Sequence, residues 1–300
     1  MPAIRPEPEY QAVQESYIPA ASFYSVNMPG IGGTTYPIDI LWNDLDELIK
    51  GEKWDELAKR VAALQVEAYT ETVANLAVNQ KLIDGKFGIH AESYGALAAL
   101  KFYAKAALSN GKIPKPNAIM LTVPATEPIT AWDLVIGMAT QPTDTSDGAP
   151  QNVLNFPRMS PHIHKPSEAP WGEALLHLEG ISAAVPTLLS SPEMVITDEE
   201  IEIINKAVDN NELSLIVFGG GRDTVVKPAM IDRFKQRILS SDNVVYHEFT
   251  DGTHSSHGDH FFQVWRNIAQ FLVKQKVLNP NQVDLDYRSP LERDKNKTRF

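Results

Sequence analysis

Short β-branched and aromatic runs alternate with longer helix-patterned segments, and this alternation restricts the architecture more than any other feature of the chain. SFYSVNM (22 to 28), FGIHA (87 to 91), AIMLTV (118 to 123), LSLIVF (213 to 218) and VVYHEF (244 to 249) read as buried strands. Helical patterns occupy 53 to 82, 94 to 108, 228 to 239 and 260 to 275. Strands alternating with helices imply right-handed βαβ crossovers, and hence an α/β fold with a mainly parallel sheet flanked by helices. The length of 300 residues fits one large domain spanning 1–300, with room for an insertion.

The rhythm breaks once. Residues 126–195 are rich in proline, contain Trp132 and Trp171, and show no clear strand. So long an interval does not suit a plain loop in a compact domain, so a helical lid or cap insertion is expected there. TDEEIEIINKAV (197 to 208) then reads as a capped helix leading back to the sheet, with Thr197 as N-cap and Glu200 three residues on. The polar tail 278–300 is expected to be mobile or draped over the surface. No internal repeat is found.

Composition removes several function classes. A formal net charge of -11, with no basic stripe, argues against nucleic-acid or anionic-membrane partners. The absence of cysteine excludes disulfides, thiolate zinc sites and cysteine catalysis. The first residues, MPAIRPEPEYQ, lack the apolar core of a signal peptide. No run approaches the ~20 apolar residues of a membrane span. A soluble, cytoplasmic protein is the expectation, although a leader already removed would leave the same sequence.

In an open parallel sheet, reactive groups gather at the carboxyl ends of the strands. Three such ends carry apt residues: Ser93, two residues beyond FGIHA; Asp223, after the glycine-rich turn of LSLIVFGGGRDTVVKP; and His254, just past VVYHEF in the continuation TDGTH. A serine hydroxyl is a weak nucleophile near neutral pH. It needs an imidazole to take its proton and a carboxylate to fix the imidazole's tautomer. Ser, Asp, His is one chain order in which these groups occur.

On these residues the chain resembles an α/β-hydrolase over about 20 to 275. HAESYGALAAL resembles the nucleophile elbow, with Ala91 standing where the first glycine of G-x-S-x-G is usual. GGGRDTVVKP resembles the turn bearing the family's acid, and DGTHSSHGDHFFQVWRNIAQFL the final histidine turn and following helix. The resemblance implies a serine hydrolase acting on a carboxylic ester or similar small acyl substrate, with no cofactor. Ser93 would be the nucleophile, His254 the base and Asp223 the acid, with one oxyanion donor from the Tyr94 backbone N–H. SFYSVNMPGIGGTT fits less simply. Asn27 replaces the aspartate of a D-x-P-G-x-G-like turn, or Pro29 replaces the histidine of an H-G-x-G-like oxyanion loop. Either the usual first strands are missing, or this strand pairs with the elbow strand and Gly30 and Ile31 supply the second oxyanion donor.

Other readings stand beside these. Ser93 is also a residue type favoured at helix starts, Asp223 one favoured in turns, and His254 could be a surface loop histidine. His257 rivals His254 as base. HGDH (257 to 260) resembles part of a zinc motif, but no further histidine follows to complete it; a metal site on His254, His257, Asp259 and His260 stays as a minor alternative, and no metal is assigned. His162 and His164 read as lid surface, His90 as packed beneath its strand, and Glu92 as a structural hydrogen-bond or ion-pair partner. Glu92–Gly95 also resembles elbows of serine peptidases of this fold, which keeps a peptidase open. A catalytically inactive binding protein is the third reading; it would place no histidine within reach of Ser93, or no donors at the oxyanion position.

Overall fold

The computed structural model describes residues 14–23, 47, 48, 50, 51, 53–129, 194–254 and 260–287. Four strands, β1 (Gly88–Glu92), β2 (Ala118–Thr122), β3 (Ser214–Gly220) and β4 (Val244–Phe249), form one parallel sheet in the order β1-β2-β3-β4. The longer helices among the described residues are α1 (Trp54–Asn79), α2 (Gly95–Leu108), α3 (Asp198–Asp209), α4 (Pro228–Arg237) and α5 (Phe261–Lys274). The proposed strand at 22 to 28 lies outside the described residues from residue 24 on, so β2 is the one described neighbour of β1.

The two central strands are buried along their whole length, as parallel strands covered on both faces must be. Alternate residues serve opposite faces. Ile119, Leu121, Leu215 and Val217 join the first core cluster with Leu97, Leu100 and Tyr103 of α2, Ile201 and Ile204 of α3, and Met230 and Phe234 of α4. Ala118, Met120, Ile216 and Phe218 face Val264, Trp265, Ile268 and Leu272 of α5. Burying each large apolar side chain contributes about 1.5–3 kcal/mol, so these two layers hold the sheet. Two terminal segments extend the second layer: Tyr17 and Ile18 are buried in it, and Leu278, Leu285 and Tyr287 pack on it. Asp284 N–H donates to Tyr17 C=O at 2.9 Å, and the Tyr17 and Tyr287 rings meet edge-on. The first part of the tail therefore lies against α5; residues from 288 on are outside the described set.

Local signals account for the helix ends. Thr197 accepts from Glu200 N–H while Glu200 accepts from Thr197 N–H, the reciprocal capping expected for α3. Pro228 opens α4, where its missing N–H costs nothing. α2 is alanine-rich and buries an almost continuous surface.

Thr126 C=O accepts from Ile196 N–H at 3.1 Å, so the excursion of 126–195 leaves and returns at one place. Glu127 pairs with Arg233 and Asp198 with Arg237, tying both sides of that place to α4. The interior of the expected lid, 130–193, is outside the described residues, including His162 and His164. Among the described residues no helix is long and apolar enough to cross a membrane.

Candidate active site

β1 runs through Glu92, one residue beyond the expected strand, so Ser93 follows it directly. Ser93 has φ +47, a left-handed conformation that costs a residue with a Cβ about 1–2 kcal/mol. Backbone hydrogen bonds hold it there. Ser93 N–H donates to Thr122 C=O at 2.9 Å, and Ser93 C=O accepts from Ala125 N–H at 3.0 Å and Ala96 N–H at 3.1 Å. Ala125 can reach back because the chain also kinks at Val123, which has φ +43, is 1% exposed, and donates its N–H to Phe218 C=O at 2.7 Å. A left-handed β-branched residue is a genuine outlier. The sequence gives no sign of it.

The turn answers the helix-start reading of Ser93. The N-cap residue of α2 is Tyr94, with no side-chain cap, and Ser93 Oγ lies 3.1 Å from His254 Nε2. The Tyr94 backbone N–H stands at the head of α2, where peptide dipoles give a partial positive charge. Ala91, in the place of the usual glycine, packs its methyl into the first core cluster without displacing the strand.

The glycine-rich turn before Asp223 is shorter than the sequence suggests. Gly219 and Gly220 belong to β3 and pair with Glu248 and Phe249, because β4 continues alongside them. Gly221 begins the turn, where a Cβ would lie 2.8 Å from Thr250 C=O. This close approach lets the two loops bond to each other: Gly221 N–H donates to Phe249 C=O at 2.8 Å, and Arg222 N–H to Gly252 C=O at 2.9 Å. Asp223 is 3% exposed. Its Oδ1 accepts from Val225 N–H at 2.8 Å and Val226 N–H at 2.9 Å, leaving Oδ2 facing His254 Nδ1 at 3.0 Å. A carboxylate only accepts, so Nδ1 carries the imidazole proton and Nε2 is left to accept from the Ser93 hydroxyl. The arrangement can move a proton from Ser93 to His254 while a carboxylate compensates the resulting charge.

Ser93, Asp223, His254 and Tyr94 are thus brought together. Gly30 and Ile31, with Asn27 and Pro29, lie outside the described residues, as do His257 and Asp259. His254 and His260 face different carboxylates, His260 Nε2 lying 3.2 Å from Asp251. Among the described residues no group of three or more His, Asp or Glu could hold a metal ion. His90 lies on the α5 side of β1, with Nε2 3.0 Å from Thr122 Oγ1 and 3.9 Å from Glu92, and its ring edge-on to Trp265. The backbone donors of Val225, Val226 and Ala125 carry no side-chain signal, so sequence reasoning could not find them.

No family model matches the sequence, and no curated protein matches it significantly. Solved structures do. An esterase from Exiguobacterium antarcticum is 12% identical, over 88% of this chain and 87% of its own, with a TM-score of 0.52. A bromoperoxidase from Bacillus anthracis is 9% identical over 82% and 79%, with a TM-score of 0.46. A serine hydrolase from Cycloclasticus zankles is 12% identical over 73% of each chain, with a TM-score of 0.45.

Proposed function

This chain has the α/β-hydrolase fold, and we propose that it is a serine hydrolase cleaving a carboxylic ester or similar acyl compound. The observation that carries the reading is the unbroken hydrogen-bond chain from Ser93 Oγ to His254 Nε2 and from His254 Nδ1 to the buried Asp223. It also weighs against an inactive binding protein, for which no such chain is needed.

Ser93 Oγ attacks the acyl carbonyl as its proton passes to His254 Nε2. Asp223 holds the imidazole tautomer and stabilises the imidazolium. The tetrahedral oxyanion collapses, the bond to the alkoxy oxygen breaks, and His254 returns the proton to that leaving group. Water then repeats the sequence against the acyl-serine, releasing the acid. The Tyr94 N–H supplies one oxyanion donor in this scheme, with the second assigned to the Gly30–Ile31 loop. Each such donor stabilises the transition state by roughly 2.7–4 kcal/mol.

A fluorophosphonate probe tests the reading. Ser93 should be labelled in the wild type, and Ser93→Ala should take up no label and hydrolyse no p-nitrophenyl ester. Labelling that persists in Ser93→Ala, or a wild type that does not label, would sink it.

A further inference from the structure

His254 sits on a connection whose two ends are clamped together. Phe249, the last residue of β4, and His260, the residue before α5, stack face to face with centroids 4.3 Å apart and planes 6° from parallel. His260 Nε2 also lies 3.2 Å from Asp251 Oδ1, two residues into the connection. The clamp is seated on the sheet: Phe249 is parallel to Phe218 of β3 at 6.0 Å, and Phe218 to His247 at 5.5 Å. His260 therefore fixes both the exit of the connection and, through Asp251, its first turn. From that turn Gly252 N–H donates back to Phe249 C=O, and Gly252 C=O accepts from Arg222 beside Asp223.

We propose that His260 is a positioning residue for His254. It holds the turn that follows β4, through Phe249 and Asp251, so that the imidazole of His254 spans Ser93 and Asp223. The mechanism above gives His260 no proton to move. Its side chain is only 13% exposed and engaged on two sides, which suits a fixed clamp better than a surface charge. The proposal rests on the hydrolase reading for its kinetic consequence, not for its geometry.

The test uses the full chain with p-nitrophenyl acetate, together with the proton resonance of His254 Nδ1–H, which a hydrogen bond to a carboxylate moves far downfield. His260→Ala should lower kcat by roughly ten- to a hundredfold, the scale on which misplacement of a reacting group acts, with KM changed less than about twofold. It should also broaden or remove the resonance. His260→Phe keeps the stack on Phe249 but not the contact to Asp251 and should recover part of kcat, whereas a merely destabilised enzyme would show no such split between kcat and KM. If His260→Ala does not fold, Phe249→Leu, apolar but without a ring, takes its place with the same two readings. Unchanged kcat and an intact resonance would overturn the proposal, as would a loss confined to KM. If the wild type hydrolyses no ester, the hydrolase reading fails separately, and the resonance alone decides the role of His260.

Discussion

Ser93 is fixed by the main chain around it, whereas Asp223 and His254 are fixed by contacts between loops. On the serine side, two left-handed non-glycine residues, Ser93 and Val123, sit at the ends of neighbouring strands and hydrogen-bond around each other. Strain of this kind persists only when the surroundings over-determine it, here the burial of both residues and the β2–β3 pairing. On the acid–base side the backbone is ordinary at Asp223 and His254, and accuracy comes from cross-loop hydrogen bonds and a ring stack. Substitutions that leave the core intact should therefore loosen the acid–base side more readily than the serine side.

The largest test of that contrast is Asp223→Asn. The amide keeps the size of the carboxylate, and its oxygen can still accept from Val225 and Val226, but its NH2 then faces Nδ1 and favours the wrong imidazole tautomer. We expect kcat to fall by ~10⁴-fold with the fold retained, by the tautomer argument for such triads. Circular dichroism and p-nitrophenyl acetate kinetics check it. A loss below about tenfold would remove Asp223 from the mechanism.

Next in size is Gly221→Ala. The new methyl would lie 2.8 Å from the Thr250 carbonyl, a backbone atom that cannot swing aside. Separating the two loops should cost about 1–3 kcal/mol, as overpacking does, and should lower kcat more than it raises KM. Urea titration and steady-state kinetics measure the two effects. If stability falls while kcat holds, the stitching between the loops is structural only.

Thr197→Ala supplies the stability control. It removes the capping of α3, which contributes no side chain to the Ser93–His254–Asp223 hydrogen-bond chain, and should cost about 1 kcal/mol. Thermal unfolding should register the loss while kcat stays within about twofold. Comparison with Gly221→Ala then separates general stability from positioning.

The contrast also explains what could be read in advance. Four strands, the helices between them and the meeting of Ser93, Asp223 and His254 follow from hydrophobic pattern and chain order, since a parallel sheet gathers its strand ends on one edge. The extension of β3 through Gly219 and Gly220 was hidden because glycine reads as turn, and only the pairing with β4 makes it strand. The kink at Val123 contradicts its residue type and is imposed by tertiary hydrogen bonds. His260 reads from sequence as one of four clustered polar residues, and only its stack on Phe249 gives it a separate place. The docking of Tyr17 against Asp284 and Tyr287 joins two segments far apart in the sequence, a pairing no local pattern encodes.

The smallest expected effect probes the sheet beneath the acid–base side. Burial lowers the pKa of His247, whose ring stacks on Phe218. The unfolded chain therefore binds this proton more readily than the folded one. The contribution of His247 to stability is complete above its unfolded pKa of ~6.5 and declines as pH falls toward the lower folded value. Thermal midpoints of the wild type should drop between pH 7.5 and pH 5.5 slightly more than those of His247→Phe, which keeps a ring on Phe218 without a titrating nitrogen. Equal slopes would mean that the His247 ring accepts its proton in place. The ring ladder under Phe249 would then tolerate a charge at its far end, and the seat of the His260 clamp would be less apolar than its geometry implies.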